Sequence, residues 1–162
     1  MSWLIKTPLI LIAVFVVAGY ALSLFARRPE TLGVSDGQLS PAPDSPNCVS
    51  TQTESTSHQM SPISIPDGRE SDALAEAANI LEEMGGQIVT RESDYIHLEF
   101  TSLVFRYVDD VEVFIPVGGP VHFRSASRSG HSDMGVNRKR MTEFTRQFQK
   151  SLVDLPKHDS AG

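Results

Sequence analysis

Residues 125–140, SASRSGHSDMGVNRKR, bring hydroxyls, an imidazole, a carboxylate, an amide and four basic side chains into one short run. Three chemistries suit such a set. Nucleophilic catalysis would use Ser127, His131 and Asp133. A triad needs its base held in space between nucleophile and acid, commonly by separate elements, and these three share one loop with no GxSxG elbow. No catalytic residue is assigned on that ground. Anion binding would use the free amides at the start of a following helix, close turns at Gly130 and Gly135, and guanidinium forks from Arg124, Arg128 and Arg138. Against it, Asp133 stands where a helix cap would stand and would occupy the same amides. The structural reading, which we prefer, makes Asp133 the cap, Asn137 a tie for the loop, and Arg124 or Arg128 the partner of Asp109 or Asp110. These two carboxylates are adjacent in an apolar strand pattern. Strand neighbours point to opposite faces, so only one of them is expected to point inward. The expectation is a single charge network of Asp109, Asp110, Arg124, Arg128 and Arg138 that fixes the loop against a sheet.

The elements that must position these side chains are legible from periodicity. Leu74, Ala77, Ala78, Leu81 and Met84 recur at helical spacing, with Ser71 as the expected cap and Gly85-Gly86 as the stop. Period-two alternation marks strands at 87–92, 95–101, 105–115 and 121–126. Ser93-Asp94 and residues 117–120 are hairpin-length breaks, so antiparallel pairing is expected. A last helix runs from about 135 to 153, with Met141, Phe144, Phe148 and Leu152 as its apolar stripe. The predicted fold is an α+β domain at 70–156. It has about four antiparallel strands, two helices packed on one face, and an open polar face carrying His97, Glu99, Arg124 and Asp110. A disordered tail is expected at 157–162.

Upstream, residues 8–26 read PLILIAVFVVAGYALSLFA, an uncharged stretch long enough to cross a bilayer as a helix. The rival reading is a cleaved signal peptide with a small-x-small site at Ala21-Leu22-Ser23. We take residues 1–28 as a single-pass anchor. Its flanks are balanced, with Lys6 on one side and Arg27-Arg28 on the other. The soluble part is expected to be extracytoplasmic. Residues 29–69 hold six of the ten prolines, many Ser and Thr, and no Phe, Trp or Tyr. Most of this stretch is expected to be an extended tether, with a turn and short strand at 45–50, SPNCVS.

Composition narrows the partners. The net charge of -6 argues against nucleic acid. One cysteine, Cys48, excludes an internal disulfide and a thiolate metal cluster, and the five histidines show no HxxxH or HExxH spacing. No metal and no cofactor is expected. The expected partners are the membrane, through the N-terminal helix, and a protein or an anionic small molecule. The function is expected to be binding or assembly at the membrane surface. The alternative is a small enzyme or sensor acting on an anionic ligand at the 124–140 loop.

Three stretches together carry a resemblance: LSPAPDSPNCVS at 39–50, FRYVDDVE at 105–112, and SASRSGHSDMGVNRKR at 125–140. In this order they resemble the family called domain of unknown function 1499, over about 39–148. The resemblance implies that 45–50 belongs to the domain, and that a membrane or targeting segment often precedes it in bacteria and plant plastids. It implies no activity. Two departures stand out. Members often carry a cysteine where Ala42 stands, so a disulfide to Cys48 is impossible here. Members often carry an aromatic residue where His131 stands, which weakens a catalytic use of that imidazole.

Overall fold

A computed structural model describes residues 7–11, 14, 16, 17, 19, 27–66 and 68–154. Its centre is a five-stranded antiparallel sheet in the order β3-β7-β6-β5-β4. The strands are β3 (Cys48–Ser50), β4 (Gln87–Arg91), β5 (Tyr95–Thr101), β6 (Val108–Phe114) and β7 (His122–Ser127). Two helices, α1 (Glu70–Glu83) and α2 (Val136–Asp154), pack on one face. The alternation in the sequence decides which side chains meet them. Ile96, Leu98, Phe100, Val111, Val113 and Phe123 turn toward the helices and are buried with Leu74, Leu81, Met141, Phe144 and Phe148. The Phe123 and Phe144 rings meet edge to face at 6.0 Å, and Phe144 and Phe148 lie 5.4 Å apart.

The helix ends follow backbone chemistry. Gly85 takes φ 98°, and the Gly86 N–H donates to the Leu81 carbonyl, which closes α1. Ser71 is not the cap. The first helical residue is Glu70, the cap position is Arg69, and no side chain there caps the helix amides. Asp133 does cap α2, through bonds to the amides of Gly135 and Asn137.

Three expectations change. The sheet has five strands rather than four, because 45–50 adds β3 beside β7 with Cys48 opposite Ala126. The strand expected from 105 begins at Val108, since 102–107 forms the turn between β5 and β6. The segment expected as tether is folded: its first part forms an arm over the other sheet face, and Met60, Ile63 and Ile65 of its second part pack with the helix-side core. Within the arm β1 (Val34–Ser35) and β2 (Gln38–Leu39) form a hairpin, turned by Asp36 and Gly37 at φ 52° and 74°. Leu39 packs with Tyr95 and Phe114, and the Gly33 N–H donates to Glu112 Oε1 at 2.8 Å. The arm is poor in aromatic residues, but it borrows those of the sheet and satisfies its charges, which offsets its ordering entropy.

Among the described residues no helix is long and apolar enough to cross a membrane. The described residues of 7–19 are helical. Most of the expected span at 8–26 lies outside the described residues, as does the expected tail at 157–162.

Candidate functional site

The face away from the helices carries a row of ionisable side chains, and it is covered rather than open. Tyr95, His97 and Glu99 come from β5, Asp110 and Glu112 from β6, and Arg124 from β7, with Arg128 just beyond it. His97 is 2% exposed, Asp110 1%, Glu112 0% and Arg124 6%. Charges taken out of water need partners, and the geometry supplies them. Arg128 donates from Nε and Nη2 to both oxygens of Asp110 at 2.8 and 2.6 Å, and from Nη2 to Glu99 at 2.5 Å. Arg28, at the start of the arm, donates to Glu99 at 2.5 Å. His97 Nε2 bonds with Asp110 Oδ1 at 2.7 Å. Arg124 donates to Glu112 at 3.1 Å, and the Tyr95 hydroxyl donates to the same carboxylate at 2.9 Å.

The electrostatics follow from these contacts. Burial works against an ionised Asp110, but bonds from Arg128 and His97 outweigh it and hold its pKa below the usual carboxylate range. The same contest, won by Arg128 and Arg28, lowers Glu99. The Arg128 guanidinium is raised, chiefly by Asp110. Burial, then the neighbouring Glu112 charge and its hydrogen bond, raise the Tyr95 hydroxyl. Burial also pushes the Cys48 thiol from about 9.0 up to about 11, against a smaller opposing effect of Arg124.

His97, Glu99 and Asp110 place ligand atoms within 4.8 Å of one another, a spacing a metal ion would accept. The two guanidiniums of Arg28 and Arg128 already supply the positive charge at these oxygens.

A second polar cluster lies on the helix side of the same strands. Asp109 accepts from Arg140 Nη2 at 2.7 Å and from Ser127 Oγ at 2.5 Å. The Arg140 guanidinium sits 4.4 Å over the Phe100 ring. Asn137, 1% exposed, donates to the Asn47 carbonyl at 3.1 Å and accepts from Ser125 Oγ and from Arg140. Asn47 in turn donates to the Gly130 carbonyl at 2.6 Å. This cluster knots the SPNC turn, the end of β7 and the start of α2.

The structure therefore divides the single network expected from the sequence. Asp110 and Arg128 meet on one face, and Asp109 lies on the other with Arg140. Arg124 joins Glu112. Arg138 joins neither; it donates to the carbonyls of Ser57 and Gln59. Both aspartates are buried, because the arm covers the face that would otherwise meet water. Glu112 and Arg140 were missed as site residues. Glu112 alternates with Asp110 and Arg124 on a face assumed to be solvated. Arg140 lies in the basic run but shares a helix face with Asn137 and Phe144, three and four residues away, and that spacing was the available signal. Ser127 bonds to Asp109, Asp133 caps α2, and His131 is exposed.

Between the arm and the end of β7 lies a cavity of about 450 Å³. Pro29, Pro41 and Ala42 line it from the arm, and Arg124, Arg128 and Ser129 from the sheet side. Among the described residues, two buried side-chain atoms lack a hydrogen-bond partner: Arg124 Nε and Ser129 Oγ. Both residues line this cavity.

Most of these walls come from 39–50 and 125–140, two of the three stretches that carry the resemblance, and Asp110 comes from the third, while Pro29, Thr31 and Arg124 lie outside all three. A family model described as Protein of unknown function (DUF1499) matches residues 38–148, more than half of the chain. The chain belongs to this family. No curated protein matches it. The family match begins at β2 and ends within α2, so it takes in the cavity walls from Pro41 onward and, apart from Arg28, both charged clusters.

Proposed function

We propose that this family member is a membrane-tethered binding module that holds a small carboxylate-bearing molecule in the cavity beneath the arm. The observation that carries the reading is the buried Arg124 Nε–H without an acceptor. An unpaired buried donor costs about 1–3 kcal/mol, and more on a charged group, so an acceptor oxygen placed there recovers that loss. Ser129 Oγ offers a second bond from the same wall. Ion pairing on this face is balanced: Arg28, Arg124 and Arg128 stand against Glu99, Asp110 and Glu112. Selection therefore rests on charge-assisted hydrogen bonds from the guanidinium, which favour an ionised acceptor over an alcohol oxygen, rather than on a strong positive field. The prolines and Ala42 favour a ligand with a compact apolar body. The site is not at the start of α2, where Asp133 takes the amides. The uncharged run at 8–26 supports tethering to a membrane, and the Pro-, Ser- and Thr-rich composition of 29–69 supports an extracytoplasmic domain.

The test is thermal melting of the full chain in detergent with a series of monocarboxylates of increasing apolar size, and the matching primary alcohols as controls. Carboxylates should raise the melting temperature with concentration, and alcohols should not. Ala42→Phe fills the cavity without touching an ion pair. It should keep the unliganded melting temperature and lose the shift. An equal shift in Ala42→Phe, or no shift with any carboxylate, overturns the reading.

A further inference from the structure

The turn between β5 and β6 is closed from both sides. The Ser102 N–H donates to the Tyr107 carbonyl at 2.8 Å, and the Tyr107 N–H donates to Ser102 Oγ at 2.9 Å. The Phe105 and Tyr107 rings stack with centroids 5.5 Å apart. This fixed tip holds Leu103 93% exposed and Val104 61% exposed. Single exposed apolar residues are ordinary on a protein surface, but a contiguous set is not.

Here the set shares one end of the sheet. Thr101 pairs with Val108 and Asp109 with Ser127, so the tip lies at the end where β7 finishes. The loop leaving β7 there carries Met134, 90% exposed, and leads to exposed Val136. The N-terminal apolar run arrives at the same end. Gly19 lies so close to the tip that a Cβ on it would come within 2.5 Å of the Phe105 ring. Arg28, just after that run, pairs with Glu99, two residues before the end of β5. Leu9, Ile10, Leu11, Val14 and Val17 on the described helical residues are also exposed, so the apolar surface continues from the run to the tip.

We infer that this end of the domain rests on the lipid bilayer, with Leu103 and Val104 entering the boundary between headgroups and acyl chains. The inference rests on the proposed membrane tethering. Lipid is the occupant because the exposed tip is continuous with the apolar run and not an isolated patch. A closed turn presenting two aliphatic side chains enters that boundary without disturbing backbone hydrogen bonds. The cavity walls at Asn47 and at 127–130 belong to the same end of the sheet, so the proposed ligand would reach its site from close to the membrane surface.

The test uses the full chain reconstituted in phosphatidylcholine–phosphatidylglycerol vesicles. A polarity-sensitive fluorophore is attached at Leu103→Cys or, as control, at Val117→Cys. Val117 is 97% exposed in the turn at the opposite end of the sheet. Cys48, 2% exposed, does not compete for the label. Quenchers carried on lipid chains should quench the label at 103 several-fold more than the label at 117. Equal lipid quenching at the two sites, in a chain that stays with the vesicles after an alkaline carbonate wash, overturns this inference alone. A chain washed off the vesicles overturns the tethering and this inference together.

Discussion

Arg128 carries most of the consequence of any single side chain here, because it closes two carboxylates at once with only 8% of its side chain exposed. Removing one partner of a buried pair leaves the other uncompensated, and Arg128→Ala should lower stability by about 3–5 kcal/mol. Lys139→Ala changes an exposed residue and should stay within about 0.5 kcal/mol. The pH dependence has a definite sign. Asp110 and Glu99 are depressed in the fold. The unfolded chain binds their protons near the ordinary values of about 3.9 and 4.3. Their stabilisation is therefore fully present above those values and is lost as pH falls through the lower folded ones. Melting curves from neutral pH down to strong acid should fall more steeply for the parent than for Arg128→Ala. Matching curves would show that these pairs contribute nothing.

At the scale of elements, α2 holds the domain together through Phe144 and Phe148, both 0% exposed against the sheet and each other. Phe144→Ala and Phe148→Ala should each cost about 3–5 kcal/mol, read as a lower denaturant midpoint. An unchanged midpoint for either would place its ring outside the core. This stripe was legible in the sequence, as were α1, the inward faces of β5, β6 and β7, and the Asp133 cap. Each depends on local spacing alone. The arm was not legible. Its residues have no period, and its order comes from Leu39 meeting Tyr95 and Phe114, and from Gly33 meeting Glu112, contacts that span more than fifty residues of chain. For the same reason the face under it looked solvated, and Glu112 passed for a surface residue. The division between Asp109 and Asp110 was readable as two directions, but the partner of Asp109 was not. Arg140 had to be recognised as a long stem crossing Phe100 into the interior.

For the whole molecule, the proposed tether makes the chain an integral membrane protein. It should stay in the pellet after alkaline carbonate extraction of native membranes. Complete release at full length would remove the proposed anchor, and a reporter fused at Gly162 that works only in the cytoplasm would reverse the proposed side. Among the described residues the sheet meanwhile separates two charged systems that meet only through its backbone, with Asp110, Arg128 and Glu99 above and Asp109, Arg140 and Ser127 below. In genetic terms, residues 109 and 110 are neighbours in the gene but belong to different suppressor groups. A lesion at Asp109 should be compensated by changes at Arg140, and one at Asp110 by changes at Arg128, so a second-site screen begun at either aspartate should map one side of the sheet and pass over the other.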